Sequence, residues 1–233
     1  QGSRQQSFLN GLLADMLDGI QDYDGAYRAV HEALSHAGEE PRFALPEYRQ
    51  SLYSHQAQLA LCLGYHHEAL EAYCHAADFA ATLPGHAAML GSAYLTAHYL
   101  PLDSAEIFSL QQSYQELFRQ VRPLEAHGGK QADGRIHLGY LSADFRCHVL
   151  FAFYYAMLFC YDKQQFHVSC YSLSAETDAF TQQIQQQVDV FVDVSGRSFA
   201  DIAQRVHEDG IDILVDLSGH SSGSGLPVLA WKP

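Results

Sequence analysis

The sequence predicts two parts, a helical N-terminal half and an α/β C-terminal half built on a parallel sheet. Apolar residues recur at helical spacing across residues 7–119. In the C-terminal half, four apolar runs alternate with helix-like segments, which is typical of parallel strands joined by crossover helices. We therefore predict a helical domain over residues 4–120, a linker over 121–134 and an α/β lobe over 135–233.

Charge and composition exclude several classes of protein. The 233 residues carry 13 basic and 27 acidic side chains, a formal charge of −14, which argues against a nucleic-acid partner. No apolar run is long enough to span a membrane and no secretory signal opens the sequence, so we expect no membrane partner. The five cysteines lack CxxC spacing, which predicts reduced thiols in a cytoplasmic protein.

The histidines give no metal-binding pattern. All 14 are scattered, no HExxH motif is present, and the adjacent His66 and His67 would point in different directions on a helix. We therefore predict no metal site.

Two segments of the N-terminal half resemble the second helix of a tetratricopeptide repeat. They are Asp22–Leu34 and Gly64–Ala77, and small residues recur seven apart in each. The copies are 43 residues apart, against a usual period of about 34, and an extended loop at Gly38–Pro46 explains the difference. Such helices either offer a groove to an extended peptide or form a collar that only packs on its neighbours.

Two further helices are predicted before the linker. They cover residues 86–100 and 103–119 and are separated at Pro101, with Asp103 or Ser104 as the N-cap of the second.

The α/β lobe has four predicted strands with three helices between them. The strands are 136–141, 166–173, 188–194 and 211–217, and the helices are about 149–160, 178–187 and 198–209. The run Ile211–Leu217 is almost continuously apolar, which is typical of a strand covered on both faces.

The common strand order 3-2-1-4 would put a ligand cleft between the first and fourth strands, beyond their carboxyl ends. The loops there are Ser142–His148 and Ser218–Gly225, so His148 and His220 would lie on two sides of one cleft. The first loop lacks the GxGxxG pattern of nicotinamide enzymes. The second, rich in glycine, either holds an oxyanion or sugar hydroxyl with its N–H groups or is a plain turn.

Three roles are open for His148: taking a proton, orienting a substrate, or capping the helix that follows. Nearby, Asp144 and Arg146 can form an ion pair, and Asp144 can hold its loop through an Asx turn.

The lobe resembles a known family in several segments. GYLSADFRCH begins at Gly139, FHVSCYSLSAETDAFT at Phe166 and RVHEDGIDILVDLSGHSSGSGLPVLAWKP at Arg205, and the preceding HAAMLGSAYLTAHYLPLDSAEIF begins at His86. Together they resemble the O-linked N-acetylglucosaminyltransferase family, and its bacterial members in particular, over residues 86–233.

This resemblance implies tetratricopeptide-like repeats followed by a Rossmann-like lobe, the first lobe of a two-lobed glycosyltransferase B fold. It implies inverting transfer of N-acetylglucosamine from UDP-N-acetylglucosamine to Ser or Thr of proteins, without a cofactor or metal. A related branch transfers a hexose to Asn. The partners would be a nucleotide sugar and a protein or peptide acceptor.

The same resemblance implies the site residues. His148 and His207 match the family's two histidines, and the turn Gly219-His220-Ser221 matches its GHT-type turn, which would contact substrate. We also expect Asp144, in the same loop as His148, to contact substrate. His207 can instead only complement the dipole at its helix C-terminus.

The sequence departs from the family at three points. Val149 replaces a proline that animal members have, and Ser221 replaces the usual threonine. The second lobe, which supplies most UDP contacts, is not present, so we expect a truncated chain that is inactive alone. The alternatives are a non-catalytic peptide-binding repeat protein with a scaffold lobe and, less favoured because of the repeats, a sugar-nucleotide epimerase.

Overall fold

The structure is a computed structural model that describes residues 6–36, 45–125 and 133–233. The chain separates into two compact units, Gln1–Leu117 and Phe118–Pro233. Most of the predicted Gly38–Pro46 loop, and Gly128-Gly129 of the predicted linker, lie outside the described residues. Within the described ranges, no helix is both long and apolar enough to cross a membrane.

The first unit consists of helices that pack in chain order. They are α1 Gln6–Gly19, α2 Tyr23–His36, α3 Pro46–Leu63, α4 His66–Asp78, α5 Leu83–Ala97 and α6 Ser104–Glu116. The alanines that recur in the two predicted repeats, Ala26, Ala33, Ala69 and Ala76, are all completely buried. Because alanine lets two helix backbones approach closely, these positions are where each helix packs on its neighbour, as the spacing predicted.

Local sequence signals set several helix ends. Gly64 ends α3 in the left-handed conformation, with φ of 80°, which glycine adopts without strain. The hydroxyl of Thr82 accepts the N–H of Gly85, so α5 begins three residues before the predicted position 86. Of the two predicted caps for α6, Asp103 is the one used, in a capping box with Glu106.

The second unit is a four-stranded parallel sheet with helices on both faces. Its elements are β1 Ile136–Ser142, α7 Phe151–Phe159, β2 Phe166–Ser172, α8 Ala179–Gln187, β3 Val190–Asp193, α9 Phe199–Glu208, β4 Ile213–Asp216 and a 3₁₀ helix Leu226–Trp231. The strand order is β3-β2-β1-β4, and each neighbouring pair is parallel. The predicted fold class and strand order are confirmed, although β3 and β4 are shorter than predicted.

Alternate residues of the strands fill two separate cores. On one face, Tyr140 packs with Leu158 of α7 and Ile184 of α8. On the other face, Leu141 packs with Val206 of α9 and Val228 of the 3₁₀ helix. Because successive side chains of a strand point to opposite faces, the β1 backbone separates the two helical layers.

The prediction that the fourth strand is covered on both faces is wrong for one residue. Ile211, just before β4, is buried, but Ile213 is 50% exposed. The physical reason is position, since β4 forms an edge of the described sheet and pairs there with β1 alone.

Candidate active site

The loops that follow β1 and β4 lie side by side at the carboxyl edge of the sheet. We call residues 143–150 the β1 loop and residues 217–225 the β4 loop. The N–H of Leu217 donates to the carbonyl of Leu141 at 3.0 Å. A Cβ placed on Gly223 would lie only 3.4 Å from the Cβ of Ala143. The two loops that carry His148 and His220 therefore meet, as the predicted strand order requires.

The β1 loop begins with a turn that a serine closes. The hydroxyl of Ser142 accepts the N–H of Asp144 at 3.0 Å, and Tyr154 of α7 donates its hydroxyl to the carbonyl of Asp144. Within the described residues the carboxylate of Asp144 accepts no backbone N–H, so the predicted Asx turn is not formed. Ser142, two residues earlier, closes a turn of the same kind through its own oxygen. Burial raises the pKa of Tyr154, and the nearby Asp144 adds to that effect.

The N-terminus of α8 holds the other end of the β1 loop. One carboxylate oxygen of Asp178 accepts the N–H of Cys147 at 2.6 Å, while the other caps α8 by accepting the N–H groups of Phe180 and Thr181. The hydroxyl of Thr181 donates to the carbonyl of Phe145 at 2.8 Å. Our sequence reasoning missed both anchors, although the capping-box spacing of Asp178 and Thr181 predicts a helix start.

We expect the stability of the second unit to depend less on pH in the acid range when Asp178 is replaced in the Asp178→Asn variant. The N–H groups of Cys147 and Thr181 lower the pKa of Asp178 from its ordinary 3.8. A carboxyl whose pKa is lower in the folded state stabilises the fold above its unfolded pKa, and that contribution is lost as the pH falls through the folded value. Asparagine keeps the cap but carries no charge, so stability should fall less steeply below about pH 4.

The measurement is the urea midpoint of unfolding at several pH values between 6 and 3. Unfolding is monitored by the fluorescence of Trp231, the single tryptophan, which packs inside this unit. Glu208→Gln, on the exposed side of α9, is the matched control. Parallel curves for wild type and Asp178→Asn would contradict the prediction.

His148 stands at the start of α7 with 36% of its side chain exposed. Its Nδ1 accepts the N–H of Leu150 at 3.4 Å and lies 4.0 Å from a carboxylate oxygen of Asp144. In the described part of the chain, Nε2 has no hydrogen-bond partner. Since the side chain is also partly exposed, this nitrogen is available for a hydrogen bond with a ligand.

The predicted pair between Asp144 and Arg146 is present at 3.8 Å. Arg146 also donates to Glu176 at 2.6 Å, and it is the only basic side chain besides histidine on the two loops. Two carboxylates therefore neutralise the one guanidinium that could approach an anionic ligand here.

The β4 loop is held by hydrogen bonds within itself. Gly219 and Gly223 have φ of 57° and 74°, a conformation that residues with a side chain rarely adopt. The hydroxyl of Ser221 donates to the carbonyl of Ser218 at 2.7 Å, and that of Ser224 donates to the carbonyl of Gly219. The hydroxyl of Ser221 thus shapes the turn, while His220 beside it is half-buried.

Asp216, the last residue of β4, is a site residue that sequence reasoning missed. One of its carboxylate oxygens accepts the N–H of Gly219, and burial raises the pKa of the group. Within the described residues, its other oxygen and the hydroxyl of Ser218 are buried without a hydrogen-bond partner. A carboxyl at the carboxyl end of an apolar strand was the available signal.

His207 does not lie with these loops. It sits in the last turn of α9, and the chain enters β4 five residues after α9 ends. A helix that joins two parallel strands ends beside the amino end of the second strand. The structure therefore places His207 at the amino edge of the sheet, opposite the edge that carries His148 and His220, and does not bring the two predicted catalytic histidines together.

Comparison with known proteins gives a consistent result. Residues 120–233 match the model of Glycosyl transferase family 41. In Arabidopsis thaliana, the probable UDP-N-acetylglucosamine–peptide N-acetylglucosaminyltransferase SEC is 32% identical over 48% of this chain and 11% of its own length. A second Arabidopsis thaliana protein, the probable UDP-N-acetylglucosamine–peptide N-acetylglucosaminyltransferase SPINDLY, is 35% identical over 45% of this chain and 12% of its own length. The chain thus spans only about a tenth of these relatives.

A solved structure extends the likeness to both units. A mutant of the Thermobaculum terrenum O-GlcNAc transferase superposes with a TM-score of 0.78, covering 98% of this chain and 42% of the other at 24% identity. At that identity the likeness shows the fold, here helical repeats followed by a parallel-sheet lobe. Residues 120–233, just under half of the chain, are thus similar to glycosyl transferase family 41 and to its plant relatives, and the solved structure adds the shared fold of both units.

Proposed function

We propose that this chain is part of a protein O-glycosyltransferase that transfers N-acetylglucosamine from UDP-N-acetylglucosamine to Ser or Thr hydroxyls with inversion. The observation that carries the proposal is the meeting of the β1 and β4 loops, at Ala143 and Gly223, in a lobe similar to family 41. The relatives named above are peptide N-acetylglucosaminyltransferases, which supports the donor and the acceptor class.

The chemistry needs an acceptor oxygen in line with the anomeric carbon and charge stabilisation on the departing diphosphate. We propose that His148 Nε2 contacts the reacting sugar or acceptor, and that Asp144 and the Gly219-His220-Ser221 turn shape the floor of the cleft. His207 has no position in this scheme, since α9 ends at the amino edge of the sheet.

We further propose that residues 1–233 alone do not transfer sugar. Arg146, the one guanidinium on the two loops, is already paired with Asp144 and Glu176. The diphosphate would therefore leave without a cation to stabilise it, and a second lobe must supply that charge.

The test is a transfer assay with radiolabelled UDP-N-acetylglucosamine and a Ser/Thr-containing protein acceptor. It compares this chain with the same chain extended by the second lobe of a family 41 member. We expect label in the acceptor only with the extended protein. Label transferred by residues 1–233 alone would refute the inactivity, and no transfer by a folded extended protein would refute the function. Transfer only from a hexose donor to Asn would assign the related branch instead.

The repeat unit carries a feature that favours an acceptor-binding role. A groove of about 440 Å³ lies between α1 and α3, and in it His55 bridges Asp15 at 3.4 Å and Asp18 at 3.3 Å. We propose that this groove binds part of the protein acceptor. We also propose that the protein acts in the cytoplasm, where its five unpaired cysteines would stay reduced. A protein in which the repeats bind peptide and the lobe is only a scaffold would show acceptor binding without transfer in the extended form.

A further inference from the structure

A second cluster of ionisable side chains lies at the amino edge of the sheet, where β1 and β2 begin. His137 and His167 are register partners on these strands, and their rings stack with centroids 4.4 Å apart. Asp133 precedes β1, and both of its carboxylate oxygens lie 3.3 Å from His137 Nε2. The imidazoles are 13% and 19% exposed. One donor atom from each of the three residues lies within 4.8 Å of the others.

We propose that Asp133, His137 and His167 bind one divalent transition-metal ion of the zinc class, with water as the fourth ligand. Two imidazoles and one carboxylate form a donor set that zinc accepts readily. Tetrahedral bonds of about 2.0–2.1 Å separate the ligand atoms by roughly 3.4 Å. In distance alone, the ligand atoms, which lie within 4.8 Å of one another, need to approach by at most about 1.4 Å.

The charge around the cluster favours a cation. Besides Asp133, the carboxylate of Asp189 lies 3.8 Å from His167 Nδ1, and that of Asp212 accepts the N–H of His137 at 2.8 Å. Arg135 is the guanidinium that faces these groups, bonded to Asp133 at 2.8 Å and to Asp189 at 3.1 Å. Three carboxylates around one guanidinium leave an excess of two negative charges, which a divalent ion would neutralise.

Arg135 also competes for two of the ligands, Asp133 and His167. Its guanidinium donates to His167 Nδ1 at 2.9 Å. Because a guanidinium can only donate, Nδ1 must accept, and the proton of the neutral ring must then sit on Nε2. A metal ion at either nitrogen requires Arg135 to withdraw from Nδ1, and one of the stacked rings must turn so that the ion lies in its plane.

This site is separate from the candidate active site and does not depend on the proposed function. It lies at the opposite edge of the sheet from the β1 and β4 loops. The proposal departs from the prediction of no metal site, because His137 and His167 are 30 residues apart in sequence and meet only through the register of two strands.

The test is titration of the chelator-treated 233-residue chain with ZnCl₂ in a calorimeter at pH 7.5, repeated with CoCl₂ to record the visible spectrum. We expect one ion per chain and the absorption of a four-coordinate cobalt ion. His137→Ala, His167→Ala and Asp133→Asn should each weaken binding about tenfold or more. The double variant His66→Ala/His67→Ala, on α4, is the matched control and should bind as the wild type does.

A variant expected to gain affinity keeps the test decisive even if the histidine variants fail to fold. Arg135→Met removes the competitor for His167 Nδ1, and we expect it to bind zinc about tenfold more tightly than the wild type. No saturable binding by the wild type, an Arg135→Met affinity no better than wild type, or binding lost in the His66/His67 control would each overturn the proposal.

Discussion

The His148→Ala variant of the extended enzyme is expected to transfer sugar about 10²–10³-fold more slowly than wild type, the usual effect of removing one hydrogen-bond donor from a reacting centre. Its Nε2 is the imidazole nitrogen without a partner in the described residues, and the β1 loop that carries it meets the β4 loop at Ala143 and Gly223. Steady-state kcat and KM with UDP-N-acetylglucosamine measure the effect. A loss confined to KM would show that His148 binds substrate equally in ground and transition states.

The contacts of His148 favour an orienting role over proton abstraction. The N–H of Leu150 donates to Nδ1 at 3.4 Å, nearer than the carboxylate of Asp144 at 4.0 Å. A ring that accepts at Nδ1 carries its proton on Nε2, so Nε2 can donate to a substrate oxygen but cannot take a proton from it. We therefore expect His148→Gln, whose amide can donate, to recover part of the activity that His148→Ala loses.

Proton abstraction by His148 predicts a different pattern. His148→Gln would then be as slow as His148→Ala, and Asp144→Asn would be slow as well, because Asp144 would be needed to hold the Nδ1 proton. His31→Ala, an exposed histidine on α2, is the control for both variants. A kcat of His148→Ala within twofold of wild type would remove His148 from the site.

The position of the site was predictable because it follows from signals that are local in the sequence. Apolar runs of strand length alternating with helical segments define β1 to β4, and parallel strands put all of their following loops at one edge. That is enough to bring His148 and His220 to the same edge. The contact at Ala143 and Gly223 then depends only on β1 and β4 being neighbours.

The anchors of the β1 loop were not predictable in the same way. Ser142 and Asp144 can both close the turn chemically, and only the folded backbone selects Ser142. Asp178 can be recognised as a helix cap, but its second bond, to the N–H of Cys147, joins residues 31 apart. Such pairs form only after strands and helices have packed, so sequence spacing carries no signal for them.

His207 shows where resemblance and topology give different answers. The resemblance assigned it to the cleft by residue type and position in the segment before β4. The direction of the chain was already sufficient to question this, because a helix that leads into a parallel strand must end at the amino edge of the sheet. The structure follows that rule. In this lobe, the direction of the chain is therefore a better guide to the position of His207 than the match of residue type to the family.

We expect the Phe145→Ala variant to lower the free energy of unfolding of the second unit by about 3–5 kcal/mol, the cost of emptying a buried aromatic site. Phe145 is 1% exposed and packs edge to face against Tyr154 and Phe191, both with ring centroids 5.9 Å away. These rings come from the β1 loop, α7 and β3. The side chain therefore joins three elements, and its loss leaves a cavity that none of them can close alone.

The change in the free energy of unfolding is measured by urea unfolding. Trp231 fluorescence monitors the second unit alone. The matched control is Phe153→Ala on α7, where the ring is 76% exposed and its loss should cost no more than about 0.5 kcal/mol. Equal effects in the two variants would show that Phe145 is not part of the core. Because Phe145 lies three residues before His148 and shares its loop, a destabilised Phe145→Ala protein should also lose activity below its unfolding midpoint, whereas Phe153→Ala should not.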